Sequence, residues 1–396
     1  MKKALEGIRV LDLTHLEAGT SGTILLALLG AEVIKVERPE TGDEGRWLLT
    51  ETPGLDSYYF MNLNANKKSI TLNLAFEKGK QIFKELVKKV DVVTENFTYG
   101  TMERMGLGFK TLREINPRLI CASLNGYGNY GPYCEYPGYD YTTQAMAGAM
   151  SFTGFPDGPP LRFGPTIGDC GPGSMWMIGI LAAIIQRETT GGKGQDVEVS
   201  MQDTLVHYLR SLYFYHHITG QPLQRTGNRG AALAPWNTYE TKDGHIVICA
   251  PLNHQWENLI RLLGREDILE DKRLKMPLDR GKYADEIDPL IEAWTIKRTK
   301  KEAMDQLIKA DVPCGMVLDT GELLEDPHLR AREMFVEIEY PKRGKFPVIG
   351  SPIKLSDSPV KMEPSPLLGQ HNEEIYSKLI GYNKEDIARL KEEKII

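Results

Sequence analysis

Short apolar runs alternate with amphipathic stretches through the first half of the chain. IRVLDLT (residues 8–14) has the apolar density of a buried strand, SGTILLALLGA (21–31) that of a helix, and EVIKVERP (32–39) that of a second strand. Together they predict a βαβ unit. The helix-to-strand alternation returns in EKGKQIFKELVKKV then DVVTENF (77–97), and in FKTLREINPR then LICASLNGYG (109–128). Such a series predicts an α/β fold, a Rossmann-like large domain with a parallel sheet covered by helices. In such sheets ligands sit beyond the carboxyl ends of the strands, which directs attention to THLEAGT, ERPETGD, ENFTYG and NGYGNYGP.

A long apolar run near residues 174–187 predicts a helix, with GPTIGDCGPGS (164–174) read as the loop before it. After the glycine-rich TTGGKGQ come a strand, DVEVSM, and a helical stretch, QDTLVHYLRSLYFYHHI. From about Arg225 the pattern changes. APWNTYETKDGHIVICAP reads as two antiparallel strands joined by a KDG turn, and HQWENLIRLLG and TKKEAMDQLIKA read as helices. The expected domains are therefore a large one over 1–200, a linker helix over 201–224 and a small α+β domain over 225–334.

Composition narrows the function. The 396 residues suffice for two domains, and 41% hydrophobic with 26% charged residues is the balance of an ordinary globular chain. With 54 acidic against 48 basic residues the net charge is −6, which argues against a nucleic-acid partner. Five cysteines without a CxxC pair indicate neither a disulfide framework nor a zinc site, so no metal is expected. The lysines at the start are followed by Glu6, Arg9 and Asp12 rather than an unbroken apolar stretch. The run Met175–Ile185 has about half of the ~20 residues that a bilayer span needs. A cytoplasmic location without membrane association is the expectation.

Candidate chemistry centres on one carboxylate. Asp169 lies among glycines and prolines before the apolar helix, where an aspartate can cap the helix or serve as a nucleophile that flanking glycines leave uncrowded; local sequence leaves both open. Cys170 beside it has no neighbouring cation to activate it and reads as a small buried thiol. Gly126, Gly128 and Gly131 match GxGxxG spacing, but the prolines that follow forbid the helix that a dinucleotide site needs. Arg38, Arg104, Lys67 and Lys68 near strand ends would suit a phosphate-bearing ligand.

Motifs over nearly the whole chain resemble the class III CoA-transferases, the CaiB/BaiF type that includes formyl-CoA:oxalate and carnitine CoA-transferases. They are LEGIRVLDLTH, LGAEVIKVERPETGD, NLNANKKSITLNL, ENFTYGTMERMGLG, INPRLICASLNGYG, PGYDYTTQAMAG, GDCGPGSMWMIGILAA and KGQDVEVSMQD, then VPCGMV and SPLLGQHNEEI. The resemblance implies that the large domain is completed by 335–396 and that two chains interlock as a homodimer. It implies CoA transfer between an acyl-CoA and a small organic carboxylate, with CoA as substrate and no tightly bound cofactor. Asp169 would attack the thioester, forming in turn a mixed anhydride and an aspartyl-CoA thioester.

By the same resemblance Arg38 and Arg104 lie near the CoA phosphates, and Leu72, Asn73 and Leu74 lie along the adenosine. Asn96 and Phe97 line the path, and His15, Glu17 and Ala18 form the first loop near the thioester. Tyr139 and Asp140 approach the reacting centre. Glutamate at 17 departs from the glutamine of formyl-CoA transferases and disfavours a dianion such as oxalate. With Glu17, Trp47 and TGNRGAALAPWN (226–237), which stands in place of a glycine-rich run, point to an acyl pocket unlike that for formate and oxalate and suited to a larger carboxylic acid. Two rival readings stand beside this one. An α-methylacyl-CoA racemase pairs its aspartate with a histidine where Tyr139 stands here, a poor proton shuttle at a pKa near 10. In a non-catalytic CoA-binding protein, Asp169 would only cap its helix.

Overall fold

A computed structural model describes residues 2–230, 232–341 and 343–396. The chain divides into two compact units, one formed by 1–149, 162–218 and 327–396, the other by 150–161 and 219–326. The stretch expected as a linker divides between them, 201–218 with the first and 219–224 with the second.

The first unit is built on a six-stranded sheet, with a separate antiparallel hairpin of Phe335–Tyr340 and Gly344–Ile349 in its last segment. The strands of the sheet are β1 (Arg9–Asp12), β2 (Glu32–Glu37), β3 (Lys68–Thr71), β4 (Val92–Glu95), β5 (Ile120–Asn125) and β6 (Asp196–Ser200), all parallel in the order 3-2-1-4-5-6. The apolar runs arise because both sheet faces are buried: alternate residues of one strand feed opposite cores. Leu11, Ile34, Val93 and Cys121 pack on one side with Phe83 and Leu86. Val10, Val33, Val92 and Ile120 pack on the other with Trp176 and Ile180. The chain order reverses between β1 and β4, and at that point the loops after the two strands diverge to leave a crevice.

Two helices border this crevice, α1 (Ala18–Leu28) after β1 and a long helix over Ile167–Thr189. They run side by side, because Gly22 and Gly173 leave no room between them: a Cβ on Gly22 would lie 2.6 Å from the Gly173 carbonyl, and one on Gly173 2.7 Å from that of Ala18. The long helix has 23 residues and the length and apolar character of a membrane span, yet Trp176, Met177, Ile180 and Ile184 are buried within the unit. It begins seven residues earlier than the sequence pattern suggests, so GPTIGDCGPGS is largely helix rather than loop.

The last segment returns to this unit. The helix Asn372–Ile380 covers the β3 edge, with the Asn372 side chain bonded to the Thr71 N–H and hydroxyl, both at 2.8 Å, and the Tyr376 hydroxyl donating to the Thr71 carbonyl at 2.6 Å. Capping an edge in this way removes a site for unwanted strand pairing.

The second unit is α+β. A hairpin of β7 (Trp236–Thr241) and β8 (Gly244–Cys249) turns at Lys242 and Asp243, and β9 (Cys314–Met316) pairs with β8. Helices over Asn253–Leu263, Ala284–Thr295 and Lys300–Lys309 bury Trp256, Leu259, Ile291 and Leu307 against the hairpin's Tyr239, Ile246 and Ile248. In the 226–237 segment, whose Ala231 lies outside the described residues, Arg229 binds Asp285 at 2.8 Å and Asp288 at 2.7 Å.

Candidate active site

Charge pairing fixes the loop after β1. At the end of that strand Asp12 is fully buried and accepts from the Thr14 N–H at 3.0 Å, the Thr94 hydroxyl at 3.1 Å and the Lys67 ammonium at 3.1 Å. Burial alone would raise its pKa, but Lys67, Lys35 and the Thr14 bonds bring it down to about 2. Lys35 in turn pairs with Asp43 at 2.7 Å. Asp43 accepts the Leu16 N–H at 3.0 Å, and Asn96 grips His15 from both sides, accepting its N–H and donating to its carbonyl, each at 2.9 Å. Every backbone N–H from 14 to 16 is thus held by a side chain. Leu16 is forced to a left-handed φ of 55°, and the next residue, Glu17, enters α1 in one fixed place.

Asp169 approaches from the long helix. Thr166 is the residue before that helix, so Asp169 sits inside the first turn rather than capping it. The Thr166 hydroxyl is turned away from the helix and donates to Glu17 instead, and the Cys170 thiol donates to the same carboxylate at 3.3 Å. The residues on either side of Asp169 therefore clasp Glu17. Half-burial, then the charges of Glu17 and Asp140, push the Asp169 carboxyl up to about 7. Tyr59 lies beside Glu17 and Asp169; burial and the charges of those two acids hold its hydroxyl well above its ordinary pKa. Cys170 is exposed rather than buried, yet desolvation at its sulfur pushes the thiol up to about 12, which keeps it unreactive.

The glycines around Asp169 serve packing. A Cβ on Gly168 would lie 2.6 Å from Asp140, and one on Gly171 would lie 2.9 Å from the Tyr208 ring. Asp140 begins a helix over Asp140–Met146, where it accepts the Gly168 N–H at 2.7 Å and the Gln144 amide at 2.9 and 3.0 Å. It positions the turn that carries Asp169 and does not itself line the cavity.

Two cavities meet over the crevice. One, about 430 Å³, holds Asp169, Glu17, Ala18, Tyr59, Asn96 and Tyr139. The other, about 490 Å³, is walled by Leu72, Asn73 and Leu74 and carries Arg38, Arg104 and Lys80. His15, Phe97 and Thr101 belong to both, so the two form one channel. Arg38 and His15 are both drawn to Glu44, at 3.1 and 3.2 Å, while Arg104 donates to the Thr101 hydroxyl at 2.8 Å. The lysines and arginines gather at one end of the channel, where Glu37, Asp43 and Glu44 also line the wall, whereas Glu17 and Asp169 stand at the other end among described residues that include no lysine or arginine.

Most of the residues singled out from the sequence converge here, with two exceptions among the basic ones. Lys67 is buried against Asp12, Thr23 and Asn64, and desolvation lowers its pKa to about 8. Lys68 opens β3, at the strand's opposite end, where it pairs with Glu32 and Glu374. Neither faces the channel. The structure adds Lys80, Tyr59, Thr166 and Leu48, of which only Lys80, one turn into a helix after a strand end, carries a readable sequence signal. The GxGxxG look-alike forms turns, with Gly128 and Gly131 at φ of 86° and 97°. Among the described residues no three His, Cys, Asp or Glu side chains cluster as metal ligands would.

A Rossmann-type sheet with a half-buried carboxylate of raised pKa at a channel of mixed charge defines a class, and comparison with known proteins gives the family. Residues 5–372 match CoA-transferase family III, and the chain belongs to that family. It is 43% identical to the formyl-CoA:oxalate CoA-transferase of Streptomyces avermitilis, over all of both chains. It is 41% identical to the enzyme of that name from Rhodopseudomonas palustris, covering 98% of this chain and 96% of that one. Among solved structures, a CaiB/BaiF family protein from Brucella suis matches with a TM-score of 0.84 and 33% identity, covering 96% of this chain and all of its own. A Mycobacterium tuberculosis protein matches with a TM-score of 0.83 and 32% identity, covering 94% and 98%. The protein is a CoA-transferase of α/β fold that acts on CoA thioesters.

Proposed function

We propose that the enzyme moves CoA from an acyl-CoA to a carboxylic acid through covalent intermediates on Asp169. The observation that carries this reading is the place of Asp169, half-buried in the acid end of a channel whose other end bears Arg38, Arg104 and Lys80. Those cations suit the phosphates and Phe97 the middle of the chain, which brings the thioester to Asp169. The Asp169 oxygen attacks the acyl carbon, the C–S bond breaks, and CoA leaves as thiolate. The thiolate then attacks the aspartyl carbon of the anhydride and frees the donor carboxylate. An acceptor carboxylate attacks the aspartyl thioester and displaces the thiolate, which attacks the acceptor's acyl carbon and releases Asp169. No proton is consumed over the cycle, so no general acid or base is required. Desolvation makes Asp169 a stronger nucleophile than a carboxylate in water.

A racemase would need a second group to carry a proton, whereas Tyr139 is two-thirds exposed and Asp140 is tied up by Gly168 and Gln144. Homodimer assembly is supported by the apolar side chains Tyr213, Phe214 and Ile218 exposed on the helix Arg210–Thr219, and by Ile178 and Ile185 exposed on the long helix. The reaction is tested by incubating enzyme with acyl-CoA, trapping with hydroxylamine or borohydride, and mapping peptides by mass spectrometry. A modified Asp169 peptide is expected; absence of any adduct there overturns the covalent mechanism.

A further inference from the structure

The acid end of the channel has an unbalanced charge. Among the described residues no lysine or arginine lines the cavity around Asp169; the basic side chains lie in the other cavity. Glu17 cannot turn away, since the Thr166 hydroxyl and the Cys170 thiol hold its carboxylate and its carbonyl accepts the Ser21 N–H at 2.8 Å. Much of the remaining wall is apolar or aromatic, with Leu48, Leu124, Tyr59, Tyr99, Tyr136 and Tyr139, and its polar members, among them Asn96, Thr98 and Asn125, are uncharged.

Charge changes during the cycle determine what this wall selects. When the acceptor enters, Asp169 is a neutral thioester, so Glu17 is the anion that the acceptor meets. A monocarboxylate directs its one charge at the thioester carbon and lays its body on the aromatic wall. A dicarboxylate brings a second charge into a cavity that offers it Glu17 and, among the described residues, no lysine or arginine. We propose that Glu17 is a specificity-determining residue that restricts the acceptor to monocarboxylic acids with an apolar aliphatic or aromatic body. This rests on the transferase reading of Asp169 and separates the enzyme from relatives named for oxalate.

The test measures kcat/KM on the full-length enzyme with formyl-CoA and butyryl-CoA as donors and butyrate, phenylacetate, oxalate and succinate as acceptors, for wild type and Glu17→Gln. Wild type is expected to favour the best monocarboxylate over oxalate and succinate at least about 100-fold. Glu17→Gln, which keeps shape and removes charge, is expected to narrow that ratio at least about tenfold. The Asp169 adduct is read in parallel on both proteins, which also shows that the variant is folded. Adduct formation with oxalate or succinate preferred by wild type, or with a ratio that Glu17→Gln leaves unaltered, overturns the selectivity alone. Absence of both adduct and transfer to any acid overturns the transferase reading and the selectivity together.

Discussion

Asp12 and Asp169 belong to one unit, stand at the two sides of one crevice, and are both withdrawn from water, yet they hold their protons very differently. Asp12 is brought to about 2 and Asp169 is raised to about 7. Burial acts in the same direction on each; their neighbours decide. Asp12 has Lys67 and Lys35 and a ring of hydroxyl and amide donors, whereas Asp169 has Glu17 and Asp140. A buried acid with every lone pair answered is scaffold: here it fixes the loop that delivers Glu17. An acid kept beside other acids is costly to the fold, and a strongly raised pKa in a cavity marks it as a candidate for chemistry, the role proposed for Asp169.

The largest expected break in this comparison is functional. Asp169→Ala should lower CoA transfer by at least about 10⁴-fold while leaving CoA affinity within about threefold, because the carboxylate forms a bond rather than holding the ligand. Turnover by coupled assay and CoA binding by calorimetry separate the two; turnover within tenfold of wild type would refute the nucleophile. Next in size is Asp12→Ala, which strands the buried ammonium of Lys67 and should cost about 3–5 kcal/mol in urea unfolding. Removing both partners in Asp12→Ala/Lys67→Met should recover part of that loss. A loss under about 1 kcal/mol for the single variant would show that Asp12 is no scaffold.

The two acids were not equally legible in the sequence. The strand at IRVLD and the polar loop after it are visible as a pattern, so Asp12 and the first loop fall where expected. The Asp169 turn does not, because glycine and proline are read as helix breakers. Here the breaker rule yields to packing: Gly168 admits Asp140, Gly171 admits Tyr208 and Gly173 admits α1, three close approaches that a side chain would forbid. Pro172 costs only the bond to the Gly168 carbonyl near the helix start. The clasp on Glu17 was invisible for another reason, since Thr166 lies 149 residues away and nothing local to either residue announces the contact. Similarly, Lys67 and Lys68 share a dipeptide and look alike as phosphate ligands; only the fold shows that one neutralises Asp12 and the other faces the far end of β3. Family resemblance, not periodicity, brought the C-terminal segment back to the large domain; the strand order and the contact of its helix with Thr71 were legible in neither.

The smaller effects follow from the opposite signs of the two shifts. If Asp169 is the nucleophile, its ionisation above about 7 means that kcat/KM should fall about tenfold for each pH unit below that value, and Glu17→Gln should move this acid limb to lower pH. A limb that stays in place in Glu17→Gln would remove Glu17 as its cause. Stability should show the mirror image. Between about 4 and 7 the folded chain holds a proton on Asp169 that the unfolded chain has lost, so this group's cost grows as pH rises and is complete above 7. Asp169→Asn should therefore stabilise the protein by about 1–2 kcal/mol at pH 8 and by almost nothing at pH 4, as read from urea midpoints. Asp12→Asn should do the reverse, because a lowered pKa contributes stability that is present above about 4 and is lost as pH falls toward 2. If the two variants shift stability in the same direction at pH 8, the division into scaffold acid and reactive acid is wrong.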